Sequence, residues 1–229
     1  MATHGGPNIV DEGLLFYADP SNTDSWSGPD ASPVNSLTSN ITGSIVSDTS
    51  GSYGLNDSFT FNGTSGYIEF AQSDSLKFGT GDFCISTWYF WRGKDGLGRY
   101  DRLWFLGNTH GSNSLSCNVR NTNIFEIRVN DFIRLQTGTN VVINTWQNFV
   151  FQRSGGQFQS YFNGVFDTQN SNTENLNNAG DYTFRIGVEG GTPLSSWWDG
   201  DIGPVKIYNR ALSAQEIKQN FNALNRFGI

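Results

Sequence analysis

The chain is poor in charge. Asp, Glu, Lys and Arg make up 15% of its 229 residues, against about 25% in an average globular domain. Helical proteins draw on Glu, Lys, Ala and Leu, so this shortage argues against a helix-rich enzyme. The charge present leans acidic, with 14 basic and 21 acidic residues and a net charge of −7. Neither a sequence-independent nucleic-acid binder nor a binder of anionic lipid is expected, because both need a basic footprint. No apolar run approaches the roughly 20 residues of a membrane-spanning helix. The only cysteines are Cys84 and Cys117. Cys84 lies inside an apolar strand-like run, so free buried thiols are expected rather than a bridge. The only histidines, His4 and His110, fall in a tail and in a Gly/Asn/Ser loop. With no nucleophile elbow or clustered ligands beside them, a catalytic triad, a thiol protease and a zinc site are without support. The opening MATHGGPNIVDEG has neither a basic nor an apolar signal-peptide region. The expectation is a protein made in a cytoplasm that leaves only within a larger particle.

Aromatics are plentiful at 14%, with 18 Phe, 8 Tyr and 7 Trp, and 27 glycines mark many turns. The rings follow a period of two. Leu14, Phe16 and Ala18 share one face, and Tyr67–Phe70, Phe125/Ile127/Val129 and Phe184/Ile186/Val188 repeat the pattern. Phe83–Trp91 is apolar on both faces, as a central strand would be. Asn163-Gly164 between Tyr161-Phe162 and Val165-Phe166 predicts a hairpin, since a type I′ turn needs positive φ at both central positions. Ser213-Ala214-Gln215-Glu216 predicts a capping box opening a helix, with Ile217, Phe221 and Leu224 on its apolar stripe. Residues 20–58 and 167–181 read as polar surface excursions. The fold class is therefore all-β, a two-sheet antiparallel sandwich with a short C-terminal helix.

Several segments carry a more specific likeness. They are Gly13–Asp19, Phe59–Ile68, Phe78–Trp88, Trp146–Phe149 with Tyr161–Gly164, and the closing run Gly200–Ile217. Their order and spacing resemble the laminin-G-like jelly rolls of the concanavalin A-like lectin/glucanase superfamily, over about residues 9–220. The resemblance implies a jelly-roll β-sandwich at 13–229, preceded by an N-terminal attachment segment at 1–12. Gly6-Pro7-Asn8-Ile9-Val10 resembles versions carried by tailed-phage virions. That likeness implies a virion location, on capsid or tail, with other virion proteins as partners and a homo-oligomer among the expected arrangements. Many relatives have an acidic pair where this chain has Gly203-Pro204, so any calcium held by that pair is lost here.

The superfamily includes β-glucanases, which place carboxylates as Glu-x-Asp on one strand. The six glutamates, Glu12, Glu69, Glu126, Glu174, Glu189 and Glu216, are followed two positions on by Leu14, Ala71, Arg128, Leu176, Gly191 and Lys218. No Asp stands there, so the retaining-hydrolase pair is missing and a non-catalytic role is expected. The ion weighed is calcium, at Asp199 and Asp201 of an Asp-Gly-Asp read as a turn. No cofactor is expected beyond it. Trp26, Tyr100, Trp197 and Trp198 lie in turn-rich segments and are the candidates for stacking on a sugar. Trp88, Trp91, Trp104 and Trp146 read as core. Arg92, Lys94, Arg99 and Arg102 read as a mixed solvated loop. Two functions follow from the resemblance: a structural or accessory protein of a virion, and a lectin-like module recognising a host surface glycan.

Overall fold

The computed structural model describes residues 8–26, 34–39, 41–46, 50–52, 58–93, 100–109, 112–120, 122–176, 183–190 and 195–228. In chain order the first strands are β1 (Leu14–Ala18), β2 (Val34–Asn35), β3 (Thr42–Val46), β4 (Ser50–Ser52), β5 (Ser58–Asn62) and β6 (Tyr67–Phe70). The middle of the chain carries β7 (Phe83–Trp91), β8 (Asp101–Thr109), β9 (Ser112–Val119), β10 (Phe125–Val129) and β11 (Phe132–Gln136). Then come β12 (Trp146–Ser154), β13 (Gln157–Phe162), β14 (Val165–Ser171), β15 (Phe184–Ile186), β16 (Asp199–Tyr208) and the helix α1 (Ala214–Leu224).

Every pairing between these strands is antiparallel. One sheet runs β14-β13-β12-β7-β16-β5-β4, with β1 also on β16; the other runs β11-β10-β9-β8-β15-β6-β3-β2. The rings that alternate in sequence meet between them. Phe16 packs on Phe70 at 4.8 Å, Phe125 on Phe149 at 4.5 Å and Trp104 on Phe151 at 6.0 Å, each pair spanning the two sheets. The doubly apolar β7 is central in the first sheet, between β12 and β16. The fold is the expected antiparallel jelly-roll sandwich.

Local signals hold as well. Asn163 and Gly164 have φ of 51° and 78°, and Phe162 pairs with Val165 across the turn. Ser213 Oγ accepts from the Glu216 amide, and Glu216 reaches back to the Ser213 amide. Cys84 and Cys117 are free and buried, and burial pushes both thiols above their ordinary range. The polar stretch 20–58 departs from expectation: it supplies β2, β3 and β4 and sends Trp26 and Val34 into the core. Likewise, part of 167–181 is the edge strand β14, solvated and so without a polar–apolar alternation. Tyr182, expected in the strand that becomes β15, lies outside the described residues.

The two outer faces differ. On the first sheet, α1 seals the surface. Trp88 stacks on Phe221 at 5.4 Å, and Trp146 on Phe227 at 3.9 Å. The described part of the 1–12 segment folds there too. The Val10 amide donates to Asn220 Oδ1 at 2.8 Å, and Gln219 Nε2 donates to the Asn8 carbonyl at 2.7 Å.

Candidate ligand-binding face

The outer face of the second sheet is polar, and strand register explains why. Along β9, Leu115, Cys117 and Val119 point into the core, so Ser114, Ser116 and Asn118 point out. Along β10, Phe125, Ile127 and Val129 point in, leaving Glu126 and Arg128 outside. Cross-strand pairing then lines up Arg102, Asn118, Glu126 and Gln136 in one row over four strands. A second row holds Glu69, Arg185, Phe105, Ser116 and Arg128.

Arg102, Ser116, Asn118, Glu126, Arg128 and Gln136 form one hydrogen-bonded network, and Arg185 with Glu69 forms a separate pair beyond Phe105. Arg102 Nη1 donates to Ser116 Oγ at 2.8 Å and to Asn118 Oδ1 at 2.6 Å, while its Nη2 pairs with Glu189 at 2.7 Å. Both ends of that ion pair are buried, with side-chain exposures of 2% and 4%. Arg128 donates to Glu126 at 2.9 Å, to Asp131 at 2.9 Å and to the Tyr100 hydroxyl at 2.8 Å. Burial alone lowers the Arg128 pKa, but the hydrogen bonds and charge of Glu126 and its other neighbours outweigh it and hold the group above its ordinary value. Arg185 Nε pairs with Glu69 at 2.7 Å, and its Nη1 donates to the Gly107 carbonyl at 2.9 Å. Burying so many charges on an outer face costs desolvation, which an apolar face would avoid. Arg102, Ser116, Asn118, Glu126 and Glu189 are all buried, so their donors and acceptors are spent on one another, and the half-buried rings of Tyr67, Trp197 and Tyr100 stand at the edge of the network.

The expected site residues divide. Tyr100 stands on this face, half-buried against Arg128. Trp197 is half-buried, its ring 6.0 Å from Tyr67. Tyr67 precedes the inward Ile68 and so shares the outer face with Glu69. Trp26 and Trp198 are corrections: both are core residues, not a platform. Trp26 packs on Phe59 at 5.0 Å, and Trp198 meets Tyr89 edge-on at 5.9 Å. Neighbouring residues in an extended segment point to opposite sides, so Trp197 and Trp198 were never able to share a surface.

Asp199-Gly200-Asp201 is also corrected, from a turn to the first three residues of β16, opposite Asn62, Phe61 and Thr60. Arg92 Nη2 donates to both Asp201 oxygens at 2.8 and 2.7 Å, and Thr60 Oγ1 donates to Asp201 at 2.7 Å. Asp199 lies 3.7 Å from the same guanidinium. A calcium ion needs about six to eight oxygen ligands. Here the two carboxylates already share one cation, and the residues do not fit calcium. Among the described residues, no three of His, Cys, Asp and Glu group around a common point.

Arg102 was expected in a solvated loop and is instead a buried member of β8. His4, His110, Lys94 and Arg99 lie outside the described residues. The network residues Asn118, Glu126, Arg128, Arg185 and Glu189 were not singled out. Their signal was present in the strict alternation Ser-Leu-Ser-Cys-Asn-Val and Phe-Glu-Ile-Arg-Val.

Residues 62–218 match the family described as the concanavalin A-like lectin/glucanases superfamily. No curated protein matches the sequence. Among solved structures, the chain is similar to domain 4 of AbnA, a GH43 extracellular arabinanase from Geobacillus stearothermophilus in complex with arabinotriose. That likeness has 15% identity and a TM-score of 0.66, and covers 91% of this chain and 98% of that one. A sialidase of Trypanosoma rangeli in complex with 2,3-difluorosialic acid is similar at 14% identity and a TM-score of 0.69. It matches 97% of this chain, which spans only 35% of the sialidase. The binding domain of botulinum neurotoxin serotype D/C is similar at 13% identity and a TM-score of 0.71, over 93% of this chain and 53% of that one. At these identities the likeness shows the fold. No described helix is long and apolar enough to cross a membrane.

Proposed function

This chain belongs to the concanavalin A-like lectin/glucanase superfamily, and from that premise we propose that it is a non-catalytic glycan-recognition domain. The observation that carries the reading is the contrast between its outer faces. One is sealed by α1, and the other sets the half-buried rings of Tyr67, Trp197 and Tyr100, with exposed Arg120, at the edge of the buried polar network. Sugar recognition uses a ring face for the apolar side of a pyranose and polar groups beside the ring for its hydroxyls, and the rings with Arg120 offer both. The arabinotriose complex of the similar arabinanase domain supports the same class of ligand.

The absence of catalysis rests on the carboxylates. A retaining glycosidase needs two of them about 5–5.5 Å apart, free to act as nucleophile and acid. On this face Glu69, Glu126 and Glu189 are each committed to an arginine, and no glutamate is followed by Asp two positions on. We place the domain on the surface of a phage particle, attached through residues 1–12. The resemblance of Gly6–Val10 to virion-borne relatives supports that placement, and mass spectrometry of purified virions lacking the protein would overturn it.

A glycan array followed by titration tests the binding reading. The expected result is a bound glycan whose affinity falls about tenfold, or about 1.4 kcal/mol, in Trp197→Ala. Binding indifferent to Trp197, or no bound glycan, would refute it. Release of reducing ends from the bound glycan would overturn the non-catalytic part.

A further inference from the structure

Nine arginines lie among the described residues, and eight of them donate hydrogen bonds to the protein. Arg120 is the exception. It follows Val119, the last residue of β9, and is exposed. Its described contact is with a ring: the guanidinium carbon lies 5.1 Å from the centroid of Tyr100. Arg128 lies 4.8 Å from the same centroid and also donates to the Tyr100 hydroxyl at 2.8 Å. Tyr100 is thus held by Arg128, and it in turn gives Arg120 a flat surface to rest on.

The charges on these two arginines differ in consequence. Arg128 is neutralised by Glu126 and Asp131, at 2.9 Å each. No carboxylate among the described residues neutralises Arg120, which therefore adds a whole positive charge to a face whose other arginines are compensated. It stands two residues beyond the polar row of Arg102, Asn118 and Glu126. A ring-supported guanidinium has fewer conformations to lose on binding, and its planar fork matches a carboxylate through two parallel hydrogen bonds.

We infer that the ligand of this face is an acidic glycan, whose sugar carboxylate pairs with Arg120 beside Tyr100. The inference rests on the glycan-recognition reading and narrows it to uronic or other carboxylated sugars. A sulfate ester would present a negative charge as well, but its oxygens are much weaker hydrogen-bond acceptors than those of a carboxylate. A neutral sugar would leave the Arg120 charge without a partner.

Affinity electrophoresis of the full chain in gels carrying single polysaccharides tests this. The carboxylated set is polygalacturonate, alginate, hyaluronate and polysialic acid. Methyl-esterified polygalacturonate and carboxyl-reduced alginate and hyaluronate are the uncharged counterparts. Dextran sulfate supplies the sulfate ester, and dextran, xylan, arabinan and galactomannan are neutral. The expected result is retardation by a carboxylated polymer that its uncharged counterpart does not reproduce. Arg120→Gln is expected to weaken it at least about tenfold and Arg120→Lys to weaken it less, at unchanged melting temperature because the side chain is exposed. Binding confined to neutral polysaccharides, or acidic binding indifferent to Arg120→Gln, would overturn the inference and leave glycan recognition standing. Retardation by dextran sulfate alone would overturn the carboxylate assignment. No retardation by any polysaccharide would take down both readings.

Discussion

Replacing Lys206 with methionine is expected to stabilise the protein, and to do so less as the pH rises. Lys206 lies on β16 under the α1 side of the first sheet and is 1% exposed. Its ammonium makes no hydrogen bond and sits 5.7 Å from the ring centroid of Tyr17. Burial lowers its pKa from 10.5 to about 7, opposed in part by Asp19 and Cys84 and reinforced by Arg226. Between those two values the unfolded chain holds a proton that the folded chain releases, so folding gains stability as pH increases. With 1.36 kcal/mol per pKa unit, the penalty is about 4 kcal/mol at pH 7 and about 2 kcal/mol at pH 9. Methionine keeps most of the unbranched stem and carries no charge. Urea unfolding of both proteins at pH 7 and pH 9 gives the difference directly, with the other titrating groups cancelling. An equal or lower stability of Lys206→Met at pH 7, or an advantage that does not shrink by pH 9, would refute the reasoning.

Other perturbations follow from the same contacts. Arg102→Met leaves Glu189 buried without its guanidinium and is expected to cost about 3–5 kcal/mol, read by the same unfolding assay. Trp198→Ala removes a fully buried ring and should cost about 3–5 kcal/mol, whereas half-exposed Trp197→Ala should cost much less by the same measure while weakening glycan binding. Ser213→Ala removes the helix cap and is expected to cost about 1 kcal/mol. The Arg210 hydrogen bonds lower the Glu216 pKa to about 2. The stability this adds is complete above the ordinary carboxylate range and is lost as pH falls toward 2, so Glu216→Gln should flatten the acid limb of a melting-temperature profile. EDTA is expected to leave the melting temperature unchanged, because Arg92 already satisfies Asp199 and Asp201.

The fold was legible because alternation is a local property. Phe83–Trp91, the Asn163-Gly164 turn and the Ser213–Glu216 box each state their structure within a few residues, and each is found as read. The site was legible only in part. Trp26 and Trp198 stand among turn residues, and composition placed them outside, yet burial of a large ring overrode the polar setting. Asp199-Gly200-Asp201 has turn composition, but pairing with β5 extends it into a strand. The outer-face network was missed for a different reason. Glu126 and Arg128 occupy the polar positions of an ordinary half-buried strand, and nothing local distinguishes a solvated pair from one joined to Asn118 and Arg102 across neighbouring strands. That knowledge needs register, which depends on contacts far apart in sequence. Tyr100 was singled out for its ring alone; its placement beside Arg120 and Arg128 emerges only when β8, β9 and β10 lie side by side.

The central claim is that the outer face of the β8–β9–β10 sheet binds the ligand. The most direct test is amide chemical-shift mapping of the labelled protein titrated with the strongest binder from the array. The account predicts shifts confined to Tyr67, Tyr100, Arg102, Ser116–Arg120, Glu126–Arg128 and Trp197. Shifts centred on α1 and the Trp88 face, or on the β11 and β14 edges, would contradict it.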